Sequence, residues 1–246
     1  MGIQLGALAH RVSRRPLPPP LVGVANRGPH DLGPLERAGR QHDGASCGAA
    51  VLAMLAALGD PGLAAWLITG SVAAARPPAL RGAAPQQLEA LAGRPIEHRS
   101  AALQRVLKRR ATSGVIGWPG ALGTPPWGLA RTARFPGVAY RHLPVDDAGA
   151  HFADVLDRVS AAAALGVPVP LYSGGDSSRG WASAVPRHVV LVVGAGPRGL
   201  RIWEPGEGRC RTVSRADLAR GEPLPALGRW SRVVWAVLPV ADPLAS

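Results

Sequence analysis

From Ser46 to Leu58 the chain is apolar on every side of a helical projection, a pattern that fits a helix buried all round. Gly59-Asp60-Pro61 then stand in the usual order for a helix end, Gly before Pro. Weaker helical patterns cover Leu63–Ser71, Pro85–Ala92 and Ala101–Arg110, and Gly114 to Arg134 is the least regular stretch. Phe152, Val155, Leu156 and Val159 share one face of a helix expected from about Ala150 to Leu165. Strands are expected at Val167–Tyr172, His188–Val193 and Leu200–Trp203, with a last one near Trp230–Leu238. Helices first and an antiparallel sheet second reads as α+β, with the site in a cleft between the two halves.

Residues 1–40 are rich in Pro, Gly and Arg and read as an extended arm over the surface, leaving 41–246 as one domain. A length of 246 residues with 47% hydrophobic content supports a substantial core. The net charge of +12 suggests nucleic acid at first sight, but the basic residues are scattered and all but one are Arg. Abundant Ala, Gly, Pro and Arg points to compositional bias, and no aromatic-basic stripe accompanies the charge, so no specific nucleic-acid partner is expected. Met1–Leu21 lacks the apolar core and cleavage site of a secretory signal, and no apolar run reaches spanning length without Gly, Pro or charge. A cytoplasmic protein without a membrane partner is the expectation; oligomeric state is not legible. Cys47 and Cys210 make neither a disulfide framework nor a metal site, and no cofactor is expected. A bridge between them would consume the candidate nucleophile.

Four residues carry chemistry. Cys47 stands where a loop enters the buried helix, and a helix N-terminus with a nearby imidazole favours the thiolate form of a cysteine. Gln41, six residues upstream in a Gly-containing loop, has an amide able to share an oxyanion with the Cys47 backbone N–H. His188 opens the strand Val189-Val190-Leu191-Val192-Val193, and Glu204 closes the next one before Pro205. His188 and Glu204 each lie eight residues from Gly196, so a regular hairpin centred there would set them opposite each other on one side. A bulge in the Gly-Pro turn would break that parity. Taken singly, the four read as an inert core thiol, a solvated loop amide, a core histidine and a turn acid. Together they supply the nucleophile, base, orienting acid and oxyanion donor of cysteine acyl transfer.

In order, spacing and context these residues resemble the papain-like cysteine peptidase superfamily. There too the oxyanion Gln precedes the nucleophile by six residues and the orienting residue follows the base by sixteen, as Gln41/Cys47 and His188/Glu204 do. The chain is most similar to the double-glycine-leader peptidases of bacteriocin exporters and their free-standing bacterial relatives. Those join a Gln and an Asp-Cys-Gly-type motif at a helix start to a His, a hydrophobic strand and Asp-Pro. Ser46-Cys47-Gly48 and Glu204-Pro205 occupy those places over roughly residues 40–60 and 165–206. The resemblance implies a papain-like fold, with a buried N-terminal helix bearing the Cys packed on an antiparallel sheet bearing the His. It also implies Cys47 as nucleophile, His188 as base and acid, Glu204 as orienting residue and Gln41 as oxyanion donor. Ser46 replaces Asp. Glu204 replaces Asp or Asn with one methylene more, which requires shifted strands or an intervening water. Leader cleavage during export is not part of what is implied.

The expected activity is that of a thiol hydrolase or acyltransferase, a peptidase or amidase with a peptide or amide substrate. The alternative is a fold that has lost turnover and acts as a peptide-binding or regulatory module. Trp118, Trp127 and Trp181 are the candidates for lining a substrate cleft, with Trp203 a further one. The loops Gly114–Gly128 and Ser173–Trp181 are the places for specificity.

Overall fold

The computed structural model describes residues 5–13, 15–24, 26, 28, 30–72, 76–81, 83–114, 118, 123–175 and 185–242. Its helices are α1 (Leu5–Ser13), α2 (Leu35–Ala38), α3 (Cys47–Gly59), α4 (Pro61–Thr69), α5 (Pro85–Ala92), α6 (Ile96–Thr112), α7 (Pro126–Thr132), α8 (Phe152–Ala164) and α9 (Arg215–Arg220). Its strands are β1 (Val138–Pro144), β2 (Val169–Gly174), β3 (His188–Gly196), β4 (Gly199–Glu204), β5 (Arg209–Val213) and β6 (Arg232–Ala241). All pairings are antiparallel and the six strands lie in the order β1-β6-β2-β3-β4-β5. The protein is therefore α+β with an antiparallel sheet.

The apolar run after Cys47 is α3, in which every residue except Leu58 is buried. A helix with no polar face must be covered all round, and α3 packs against α4, α6 and α7 as well as β3. Strand β3 is buried from His188 to Gly194, with both α3 and α8 packed on it. Gly59-Asp60-Pro61 does more than stop a helix. The chain bends by 115° there, and Asp60 accepts from Leu63 N at 3.1 Å to cap α4, whose first residue is Pro61. No single helix among the described residues is long and apolar enough to cross a membrane; only the bent α3–α4 pair passes by length and composition together.

The arm is not wholly extended: α1 and α2 lie within it, and α1 packs on β1 and β6. Helix α6 begins earlier than its apolar pattern, because its polar first turn carries Arg99, buried at 4% exposure. The Arg99 guanidinium donates to Leu67 O and Ile68 O at 2.9 Å and to Ala92 O at 3.1 Å, closing the ends of α4 and α5. A cation on helix C-terminal carbonyls satisfies orphan acceptors. Strands β1 and β5 were not expected. They are the two edges of the sheet, and their exposed or half-exposed polar residues, Arg141 and His142 in one and Arg209 and Arg211 in the other, mask the strand pattern.

Candidate active site

The loop before α3 is held from three sides. Gln41 N donates to Pro205 O at 2.9 Å, tying the loop to the residue after Glu204. The fully buried Gln104 of α6 donates to Gly39 O at 3.1 Å and Arg40 O at 2.9 Å, with His42 Nδ1 3.0 Å from its Oε1. Between Asp43 and Ser46 the chain closes on itself: Ser46 Oγ accepts from Asp43 N and donates to Asp43 O, both at 3.0 Å, while Asp43 Oδ1 accepts from Ala45 N at 2.8 Å. Small hydroxyl and carboxylate side chains make such local turns readily. This turn delivers Cys47 as the first residue of α3, where the backbone N–H groups have no carbonyl one turn earlier to bond.

His188 Nε2 lies 2.6 Å from Glu204 Oε1, and Cys47 stands near enough to the imidazole to act on its pKa. With Nε2 on the carboxylate, Nδ1 is the nitrogen left for sulfur. All three groups are buried, at 4%, 9% and 2% exposure for Cys47, His188 and Glu204. Burial lowers the His188 pKa, but hydrogen bonds to Cys47 and Glu204, and their charges, outweigh it and raise the value from 6.5 to about 9. Burial raises the Glu204 pKa, yet the bond from His188 and those from Gly206 N at 2.7 Å and Glu207 N at 2.6 Å leave it below its ordinary value. Both shifts favour an imidazolium beside a carboxylate.

The cross-strand arrangement differs from the expected one. The β3–β4 turn pairs Gly196 with Gly199, so it is not centred on Gly196, and in that register His188 and Glu204 would face opposite sides of the sheet. A bulge between Val192 and Gly194 shifts the register by one residue and restores a common side. With Leu191 opposite Trp203, the continued register sets Glu204 opposite Val190, a diagonal neighbour of His188. Diagonal neighbours lie roughly 7–8 Å apart, within reach of long side chains. The strands are thus shifted from the expected register, and Glu204 with its extra methylene reaches the imidazole directly.

Distant segments complete the surroundings. Gly228, at φ +66°, ends the short 3₁₀ turn Pro225–Leu227, and a Cβ there would stand 2.9 Å from His188 Nε2 and closer still to Cδ2. Ser173, opposite His188 on β2, donates to Leu227 O at 2.8 Å and so pins that turn over the ring. A Cβ at Gly48 would come 2.6 Å from Thr124 Cβ, so glycine after Cys47 lets Thr124 lie against the helix start. Tyr172 donates to Thr124 O at 2.9 Å from the strand beside β3. None of Gly228, Ser173, Thr124 and Tyr172 stands out in the sequence by itself, although Thr124 and Ser173 fall within the two loops expected to carry specificity; only the fold brings them to the site.

The remaining candidates separate. Gln41 donates Nε2 to Asp43 O at 3.0 Å, and its Oε1 is buried without a hydrogen-bond partner. Trp118 donates to Gly123 O at 3.0 Å and meets Trp127 edge-on with ring centroids 5.1 Å apart. Gly123 in turn abuts Ala45 of the pre-helix turn. Trp127 is 37% exposed. Trp203 lines no cleft: it is fully buried and donates to Glu36 O at 2.8 Å, because β4 directs it into the core. Trp181 falls outside the described residues. Cys47 and Cys210 are both free thiols, and no group of three metal-ligating side chains occurs among the described residues. The best-defined cavity among the described residues lies towards the C-terminal end of α3, and its lining does not include Cys47. Searches against family models, curated proteins and solved structures give no match.

Proposed function

We propose that this chain is a cysteine-dependent acyl-transfer enzyme of papain-like arrangement, a peptidase or amidase acting on a peptide or amide substrate. The observation that carries the reading is the His188–Glu204 pair, held at 2.6 Å, with the Cys47 thiol acting on the same imidazole. In the reaction Cys47 Sγ gives its proton to His188 and attacks the substrate carbonyl carbon. The developing oxyanion is met by the N–H groups at the start of α3 and by the second amide hydrogen of Gln41. His188 returns the proton to the leaving amine, the amide bond breaks, and a thioester to Cys47 remains. His188 then takes a proton from water, which releases the acid and regenerates the thiol. Glu204 keeps the ring aimed and stabilises its cationic form throughout.

Burial of Cys47 at 4% exposure favours a second reading, in which the fold binds a peptide without turning it over. Peptidyl acyloxymethyl ketones of varied sequence, followed by intact mass spectrometry, separate the two. An enzyme forms a one-to-one adduct that maps to Cys47 and disappears in both Cys47→Ala and His188→Ala. If iodoacetamide alkylates Cys47 while none of the ketones does, the enzyme reading fails.

A further inference from the structure

A cavity of about 740 Å³ opens along the C-terminal half of α3, away from Cys47. Its lining includes none of Gln41, Cys47, His188 and Glu204, so this cavity is a separate feature. Its floor is apolar, built by Leu52 and Ala56 of α3 together with Leu63, Leu107, Phe135 and Val138. Arg81, Arg110, Arg131 and Arg134 line it as well, against two acids, Asp60 and Asp242. One Asp60 oxygen already caps α4.

The guanidinium groups of three of these arginines are oriented by neutral backbone carbonyls. Arg110 donates to Ala79 O at 3.0 Å and to Arg81 O, Arg131 to Ser113 O at 2.6 Å, and Arg134 to Arg131 O at 2.7 Å. Burial, and after it repulsion by Arg109 and Arg134, push the Arg110 pKa down. A guanidinium bonded to carbonyls keeps its full charge and has N–H donors to spare.

We propose that this cavity binds a small amphipathic carboxylate, its aliphatic tail on the Leu52–Leu107–Phe135 floor and its head on the arginine rim. The volume falls in the range of pockets that enclose small organic ligands, which is about 300–1,000 Å³. Carboxylate is the head group because its two oxygens match the fork of a guanidinium, and the lining carries four cations to two acids. The site is independent of Cys47 and of the proposed acyl transfer.

Calorimetric titration with decanoate, below its micelle concentration, tests this directly. One saturable site is expected, with decanol (the same tail without the charge) and acetate (the same head without the tail) each at least about tenfold weaker. Arg81 and Arg134 are exposed, so the double variant Arg81→Gln/Arg134→Gln should fold normally, which a thermal melt checks. It should weaken decanoate about tenfold or more and leave decanol unchanged. Ala56→Trp, which fills the floor, should abolish both. Decanol binding as tightly as decanoate, undiminished decanoate binding by the arginine variant, or no saturation by decanoate in the wild type would each overturn the proposal.

Discussion

Glu204→Gln keeps the shape of the side chain and removes its charge. Raising the His188 pKa from 6.5 to about 9 corresponds to about 3 kcal/mol favouring the imidazolium. Cys47 and Glu204 are the two groups that raise it. Burial opposes them, so together they supply more than this net amount, and loss of the Glu204 charge should lower the midpoint by roughly one pH unit or more, a tenfold change in the imidazolium-to-imidazole ratio. The variant also sets an amide N–H₂ against one of the backbone donors at Gly206 and Glu207, which adds about 1–3 kcal/mol of instability. The pH dependence has a defined sign. A histidine whose folded value lies above 6.5 contributes its full stabilisation below 6.5 and loses it as pH rises through about 9. Glu204, lowered from 4.5, contributes above 4.5 and loses its share as pH falls. The stability gap between wild type and Glu204→Gln should thus be widest between pH 4.5 and 6.5 and narrow through pH 9. Carbon-13 NMR of the imidazole, with the His188 resonance assigned from its absence in His188→Gln, should place the wild-type midpoint near 9 and the variant's lower by roughly one pH unit or more. Equal midpoints would refute the claim that Glu204 holds the imidazolium.

Glu204→Asp, despite restoring the residue type of the resembling family, should slow Cys47 modification by peptidyl ketones about threefold or more, since the shorter side chain cannot span the diagonal between strands. Wild-type rates in that variant would mean that the bulged register is not what sets the contact. Gly228→Ala places a methyl against the buried His188 ring at a positive φ and should lower both the same rate, about tenfold, and the thermal midpoint; unchanged reactivity would free the ring from this turn. Any DNA or RNA binding should fall steeply with added salt and show no sequence preference, and a sequence-selective complex surviving physiological salt would contradict the reading of Arg as compositional bias.

The α+β class, helix α3 and the hairpin carrying His188 and Glu204 were legible because long apolar runs have few alternatives in a folded chain. What the sequence concealed was parity. Val193 sits in an unbroken apolar run, and nothing in Val-Val-Gly-Ala marks it as the extra residue of a bulge. The expected pairing of His188 with Glu204 thus reached the correct contact through an incorrect register. Edge strands β1 and β5 were missed because exposed polar residues interrupt their alternation. Gly228 and Ser173 were illegible for a different reason: each lies near His188 only after the sheet has formed, forty and fifteen residues away along the chain. Trp203 drew attention by its type, but a large aromatic on a central strand more often belongs to the core.

The central claim is that Cys47 reacts as the partner of the His188 imidazolium. The rate of Cys47 alkylation by iodoacetamide, followed by mass spectrometry from pH 5 to 9 in wild type and His188→Ala, tests it most directly. At about pH 6 the wild type should react at least tenfold faster than the variant, with the difference shrinking as pH rises and hydroxide alone generates thiolate. Superimposable profiles in two folded proteins would contradict the account.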